Sequence, residues 1–213
     1  MEIKQLVVLG KSDATLTMIL DNLESLQWFP SIKIINNLDT PILKSFENLK
    51  FEVSIATQLD EVDYSSSLVL GGFQVNTKVG IFDNFGLPKE QFVSLVHQTA
   101  SISSTSSLGF GCIINSLVSI AAHTTLGNFV SVNRNACIGH HTTIEDFVTI
   151  NPGCNIAGNI TIGERTQIGM GANIIDGISI GKNSIIGAGS LVTKNVPDHV
   201  MVYGSPAKII KEI

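Results

Sequence analysis

From Ile102 onward, every sixth residue is aliphatic: Leu108, Ile114, Ile120, Leu126, Val132, Ile138, Ile144, Ile150, Ile156, Ile162, Ile168, Ile174, Ile180, Ile186 and Val192. Isoleucine, leucine and valine make up 63 of 213 residues. Such an unbroken run would arise by chance less than about once in a million, and a fixed short period is the mark of a solenoid. A second position keeps the same clock. Four residues after each aliphatic stands a small or branched side chain, as at Ser106, Cys112, Val118, Thr124, Val130, Ala136, Thr142, Val148 and Cys154. Strand side chains alternate between faces, so both positions point inward. The residue directly after the aliphatic is usually Gly or Asn, types that tolerate positive φ, so the pattern predicts left-handed backbone at that corner. Each hexapeptide then supplies one flat side and one corner.

The first eighty residues follow another pattern. Leu6 to Leu9 reads as a short strand, Gly10-Lys11-Ser12-Asp13 as a turn, and Ala14 to Leu26 as a helix with Leu16, Ile19, Leu20 and Leu23 at helical spacing. Strand-like runs recur at Ile32 to Ile35, Phe51 to Ala56 and Leu68 to Leu70. Strands alternating with helices argue for a small parallel α/β unit, in which ligands bind beyond the carboxyl ends of the strands. Those ends carry Gly10 to Asp13, Asn36, Asn37, Asp39, Gly71 and Gly72. The organisation read from the sequence is an α/β domain over 1–80, a connector over 81–98, a β-helix over 99–196 and a tail over 197–213.

A formal charge of −5 without a basic run lacks the footprint of a nucleic-acid binder. No apolar stretch approaches membrane-spanning length and no signal-peptide pattern opens the chain, so a cytoplasmic protein without membrane partners is expected. Cys112 and Cys154 fall on the inward register, where a reduced thiol behaves as a small apolar group.

Several segments carry a resemblance: Asn133 seven residues before His140, Ile138-Gly139-His140, Ile150-Asn151-Pro152-Gly153, Ala157 to Gly163, Ile186 to Val192, and Gly204-Ser205-Pro206-Ala207. With them the chain resembles bacterial sugar O- and N-acyltransferases of the NeuD and PglD type. The resemblance implies a Rossmann-like α/β domain followed by a left-handed parallel β-helix, in which three hexapeptides close a coil of 18 residues. It also implies a homotrimer with acetyl-CoA lying between subunits and no metal. His140 would be the general base, and Asn133 would contact the acyl group or the histidine. The N-terminal domain would hold the sugar or nucleotide, at Asn36, Asn37, Gly71 and Gly72, with Gly10 at the first turn. Two departures stand out. The Gly-rich loop ending in His that many relatives carry after the first strand is replaced by Gly10-Lys11-Ser12-Asp13-Ala14, and the residue after the base, commonly acidic, is His141.

Stacking at 18-residue intervals puts Ala122 and Gly158 on either side of His140, leaving room for a thioester. The Gly158 N–H is a candidate donor to its carbonyl. Removal of a proton as an amine or hydroxyl attacks suits an imidazole. His123 and His141 stack in the neighbouring column, a pair suited to sharing a proton, contacting substrate or starting a metal site, and His141 is assigned to the substrate. Glu145 and Asp146 sit on the next corner as solvated acids or as partners of the histidines. Gly169, Gly171 and Ala188 offer backbone for a pantetheine arm, Lys194 and Lys208 offer cations for phosphates, and Pro206-Ala207 matches the family's tail. The expected reaction is acetyl transfer from acetyl-CoA to the amine of a nucleotide-linked amino sugar. The alternatives are O-acetylation of sialic acid or a related sugar, a zinc lyase of the γ-carbonic anhydrase kind on the same β-helix, and a scaffold without activity.

Overall fold

The computed structural model describes residues 5–10, 12–35, 50–56 and 67–213; Asn36, Asn37 and Asp39 lie outside the described residues. The first part runs β1 (Gln5–Leu9), α1 (Asp13–Ser25), β2 (Ser31–Ile35), β3 (Val53–Ala56), β4 (Ser67–Leu70) and α2 (Val75–Phe85). The strands form a parallel sheet in the order β3-β2-β1-β4. Central β1 is apolar from Leu6 to Leu9, and those four residues are fully buried, as a parallel strand covered on both faces requires. Leu6 and Val8 pack with Leu16, Ile19 and Leu23 of α1. Val7 and Leu9 pack on the other side with Ile81 and Phe82 of α2. Gly86, in left-handed conformation at φ 58°, ends α2 and donates its N–H to Phe82 O.

The hexapeptides form a parallel β-helix. Two-residue strands recur every six residues from β5 (Leu95–Val96) to β21 (Leu191–Val192); through Asn173–Ile174 each pairs in parallel with the strand 18 residues later, as Cys137-Ile138 does with Asn155-Ile156. The coil therefore begins at Leu95, earlier than the aliphatic series from Ile102. Three faces result, one of five strands, one of six and one of eight. The last gains β22 (Val200–Gly204) and β23 (Ala207–Glu212), a terminal hairpin. The inward aliphatics from Ile114 to Ile186 are almost completely buried, each contributing about 1.5–3 kcal/mol by removal from water. Cys112 and Cys154 are buried in the same column system, their Sγ atoms donating to Gly127 O at 3.2 Å and Gly169 O at 3.1 Å. Burial pushes both thiols up to about 11, so neither is a ready nucleophile.

The corner chemistry differs from the sequence expectation. Positive φ falls three residues after the inward aliphatic, at Leu117, His123, Phe129, Asn135, His141, Phe147, Asn159 and Arg165, and not at the Gly or Asn that directly follows it. The glycines there answer another constraint. A Cβ on Gly139 would run into the backbone of Ala157 and Gly158, and one on Gly127 into the Glu145–Asp146 backbone. They permit close coil-to-coil approach rather than a left-handed turn.

The α/β unit docks on the eight-stranded face. Ile113 and Leu95 join the core under α1, while Phe82 packs against Phe92, Phe129 and Phe147 with ring centroids 5.7, 4.7 and 5.6 Å away. Polar links complete the joint. Asn22 Nδ2 donates to Asn115 Oδ1 at 2.8 Å, Asn115 Nδ2 donates to Asn133 Oδ1 at 3.2 Å, and Thr149 Oγ1 donates to Phe73 O at 3.0 Å. Lys78, fully buried, reaches from α2 to Phe129 O at 2.8 Å, Ser131 Oγ at 3.2 Å and Val148 O at 3.2 Å.

Burial pulls the Lys78 ammonium down from the usual 10.5 to about 7. Between those values the unfolded chain holds a proton that the folded chain has released, so stability rises with pH across that window. Urea midpoints measured at pH 7 and pH 9.5 should increase for the native protein, and the component due to Lys78 should vanish in Lys78→Met; equal pH dependence in both would contradict this account.

Candidate active site

His140 stands on the exposed corner between β12 (Cys137–Ile138) and β13 (Thr143–Ile144), where the six-stranded face turns into the five-stranded one. The imidazole lies against Gly158 of the next coil. A Cβ on that glycine would come within 2.7 Å of His140 Cε1 and 2.8 Å of Nε2, so glycine is what lets the ring occupy this place. The Gly158 N–H makes no backbone hydrogen bond, while its carbonyl accepts from Gly177 N at 3.1 Å. The site thus holds an aromatic nitrogen base and an uncommitted N–H on adjacent coils, a combination suited to proton removal beside a developing oxyanion.

His141 and His123 share this corner. His140 Nδ1 and His141 Nδ1 are 3.0 Å apart with the rings nearly perpendicular, and the His141 and His123 centroids are 4.9 Å apart. The two acids on the following corner are engaged elsewhere. Glu145 Oε2 accepts from Glu164 N at 2.9 Å, and Asp146 accepts from the Asn128 N–H and side-chain amide at 2.7 and 2.9 Å. Neither touches a histidine. Among the described residues no three His, Cys, Asp or Glu side chains converge to hold a metal, and the direct Nδ1 to Nδ1 contact leaves no place for one between His140 and His141.

Steps of 18 residues carry the His140 column through Gly158 and Asp176 to Lys194. Three coils at normal strand spacing put Lys194 about 14 Å from His140. There Lys194, Pro206, Ala207 and Lys208 line one cavity of about 370 Å³, floored by Val192, Val196 and Val202. Between the two lies a shallow groove on the six-stranded face, lined by Cys137, Asn155, Ala157, Asn173 and Ile175. Sequence reading did not assign these groove residues to a site: Cys137, Asn155 and Asn173 occupy outward strand positions where the repeat prescribes nothing, and Ala157 and Ile175 directly follow inward aliphatics. Gly169, Gly171 and Ala188 instead lie at the corner between the eight- and six-stranded faces, away from His140.

Asn133 lies on that same second corner, directly after β11 (Ser131–Val132); one protomer does not bring it to His140. It is 8% exposed and its Oδ1 accepts from Asn115 and from Arg134 N. Beside it opens a cavity of about 400 Å³ between the α/β unit and the β-helix, lined among others by Ser12, Thr17, Phe73, Thr77, Arg134 and Asn151. It lies beyond the carboxyl ends of β1 and β4, the position anticipated for a ligand. Gly10, Gly71 and Gly72 underlie the cavity without lining it. A Cβ on Gly71 would strike Gly10 O, and one on Gly72 would meet Thr77 Cγ2 at 2.6 Å. Arg134 was legible only as the neighbour of Asn133.

This architecture is a left-handed hexapeptide β-helix carrying an N-terminal α/β unit. Residues 141–174 and 159–194 match the family described as bacterial transferase hexapeptide (six repeats). No curated protein matches the sequence. Solved structures similar over almost the whole chain include a perosamine N-acetyltransferase from Caulobacter crescentus in complex with CoA and GDP-perosamine, at 23% identity and TM-score 0.83, covering 99% of this chain and 98% of that one. The acetyltransferase domain of PglB from Neisseria gonorrhoeae, in complex with acetyl coenzyme A, is 23% identical with TM-score 0.85, covering 97% and 99%. WeeI from Acinetobacter baumannii is 21% identical with TM-score 0.75, covering 97% and 100%. These similarities establish the fold.

Gly158→Ala should displace His140 while leaving the coil intact. In histidine-labelled protein the ¹⁵N resonances of His140 should move at unchanged circular dichroism, because the added methyl group meets the ring; an unmoved His140 would refute the packing argument.

Proposed function

We propose that the protein is an acetyl-CoA-dependent N-acyltransferase acting on the amine of a nucleotide-linked amino sugar, working as a homotrimer whose active sites lie between protomers. The observation that carries this reading is the exposed imidazole of His140 lying on Gly158, on the edge that also leads to Lys194. The α/β unit covers the eight-stranded face, and His140 lies on the opposite corner, so a substrate held by that unit reaches a histidine of a neighbouring protomer. Asn133 then enters the site from the protomer that binds the sugar, and Gly169, Gly171 and Ala188 face the coenzyme from the same side.

In the reaction, the sugar amine attacks the thioester carbonyl carbon. A C–N bond forms, the C–S bond breaks, and the nitrogen's proton passes to His140 Nε2. The Gly158 N–H faces the carbonyl oxygen as its charge grows. The departing thiolate is reprotonated from the imidazolium, which restores the base. The groove on the six-stranded face accommodates the pantetheine arm, and Lys194 and Lys208 lie at the far end for the phosphates. The cavity beside Arg134 suits the sugar nucleotide, with the guanidinium available to a diphosphate.

Thiol release from acetyl-CoA, measured with UDP-, dTDP- and GDP-linked amino sugars and with sialic acid, tests the reading. Turnover is expected with an amino-sugar nucleotide and should fall at least about 100-fold in His140→Ala at unchanged oligomeric mass. Turnover on sialic acid alone would replace the amine with a hydroxyl acceptor, and full activity of His140→Ala would remove the base.

A further inference from the structure

Among the described residues, no carboxylate stands beside the proposed base. Glu145 and Asp146 are committed to Glu164 and Asn128, and the atom facing His140 Nδ1 is His141 Nδ1, at 3.0 Å. A nitrogen-to-nitrogen contact of this length is a hydrogen bond with one proton in it. Two neutral imidazoles satisfy it in one of two ways, and the doubly protonated pair is excluded because two N–H groups would then point at each other.

The surroundings fix the geometry of the pair. His140 is held from below by Gly158, where any side chain would collide with the ring. His141 occupies the left-handed corner position at φ 53°, which turns its side chain back along the corner toward His140. The ring of His123, in the same left-handed position one coil earlier at φ 58°, lies against His141 with an interplanar angle of 44°. The three imidazoles thus form a row from His123 through His141 to His140, and the two contacts within it differ. His123 meets His141 by ring packing, whereas His141 meets His140 by a hydrogen bond.

We infer that His141 is the positioning partner of the base, a neutral imidazole standing where a carboxylate would be expected. Its Nδ1 accepts the Nδ1–H of His140 and so holds His140 in the tautomer whose Nε2 lone pair is free for the sugar amine. This inference rests on the role of His140 proposed above, and it moves His141 from the substrate-contacting role expected from the sequence to one exercised through His140. When the amine's proton arrives at Nε2, His140 carries protons on both nitrogens, and the Nδ1–H bond to His141 becomes charge-assisted. His141 remains neutral and the positive charge spreads over the pair. The thiolate then takes the Nε2 proton, and both imidazoles return to their starting forms.

Two substitutions separate this role from a structural one. Phe129 and Phe147 already occupy the equivalent left-handed position on another corner, at φ 57° and 60°, so His141→Phe is compatible with the backbone; it keeps a ring to lie on His123 and has no acceptor. His141→Asn places an amide oxygen near the site of Nδ1 and restores an acceptor. With acetyl-CoA and the accepted amino-sugar nucleotide, His141→Phe should lower kcat by about 10–100-fold with both KM values within about twofold of native. His141→Asn should return kcat to within about fivefold of native.

The ¹⁵N spectrum of histidine-labelled protein supplies a readout independent of turnover. His140 should show a protonated Nδ1 in the native protein and in His141→Asn, and should lose that preference in His141→Phe. Native kcat in His141→Phe, a loss confined to KM, or a His141→Asn variant as slow as His141→Phe would each overturn the assignment. His140→Ala is assayed alongside. If it is inactive while His141→Phe is fully active, only the partner role falls; if it is itself active, the base reading falls first.

Discussion

The 18-residue register of the coil is the constraint on which everything else depends. Up to the last coil, each strand is bonded in parallel to the strand three hexapeptides later, so a residue's place in the period decides its face, its corner and its vertical neighbours. Inward aliphatics are stacked into one continuous core, and the chemistry is left to the corners. His140 meets Gly158 because they are one coil apart, and Lys194 lies on the same edge because it is three coils from His140. A single inserted residue between them would carry every later side chain to the wrong side of its strand and dismantle the edge.

That regularity explains what was readable in the sequence. The β-helix, the inward columns and the His140–Gly158 stack follow from arithmetic on the period; the period stops after Val192, so Lys194 and Lys208 were singled out only by their place near the end of the coil, and Pro206 and Ala207 by resemblance to the family's tail. The arithmetic says nothing about φ within a corner, and there the reading failed. Gly139 and Gly127 are small to admit the next coil's backbone, whereas the left-handed residues lie two positions further on, among them His123 and His141. Nor does a periodic pattern place a second domain. Asn133 looked like a companion of His140 but belongs to a different corner, tied through Asn115 to Asn22 of α1.

Lys78 was the least legible feature. Its position in α2, in step with Val75 and Ile81, is one that an apolar residue would fill, and that irregularity was the only signal in the sequence. The structure gives it three acceptors in the joint between the two parts of the chain. Together with the Phe82 cluster, this fixes the α/β unit on the eight-stranded face. The fixed placement has a functional consequence. The cavity beside Arg134 opens at one corner and His140 stands at another, so in the proposed homotrimer the two halves of the proposed chemistry meet between protomers.

Complementation between protomers tests that claim most directly. His140→Ala lacks the proposed base, and Ala14→Trp, on the exposed side of α1, fills the cavity next to Arg134 while leaving His140 untouched. Each variant alone is expected to be nearly inactive. Co-expressed and purified as mixed trimers, they should recover a substantial part of native turnover, because some sites then pair an intact His140 from one protomer with an open cavity from its neighbour. Mixed trimers that form and remain as inactive as the parents would contradict the shared site and require both halves to come from one chain.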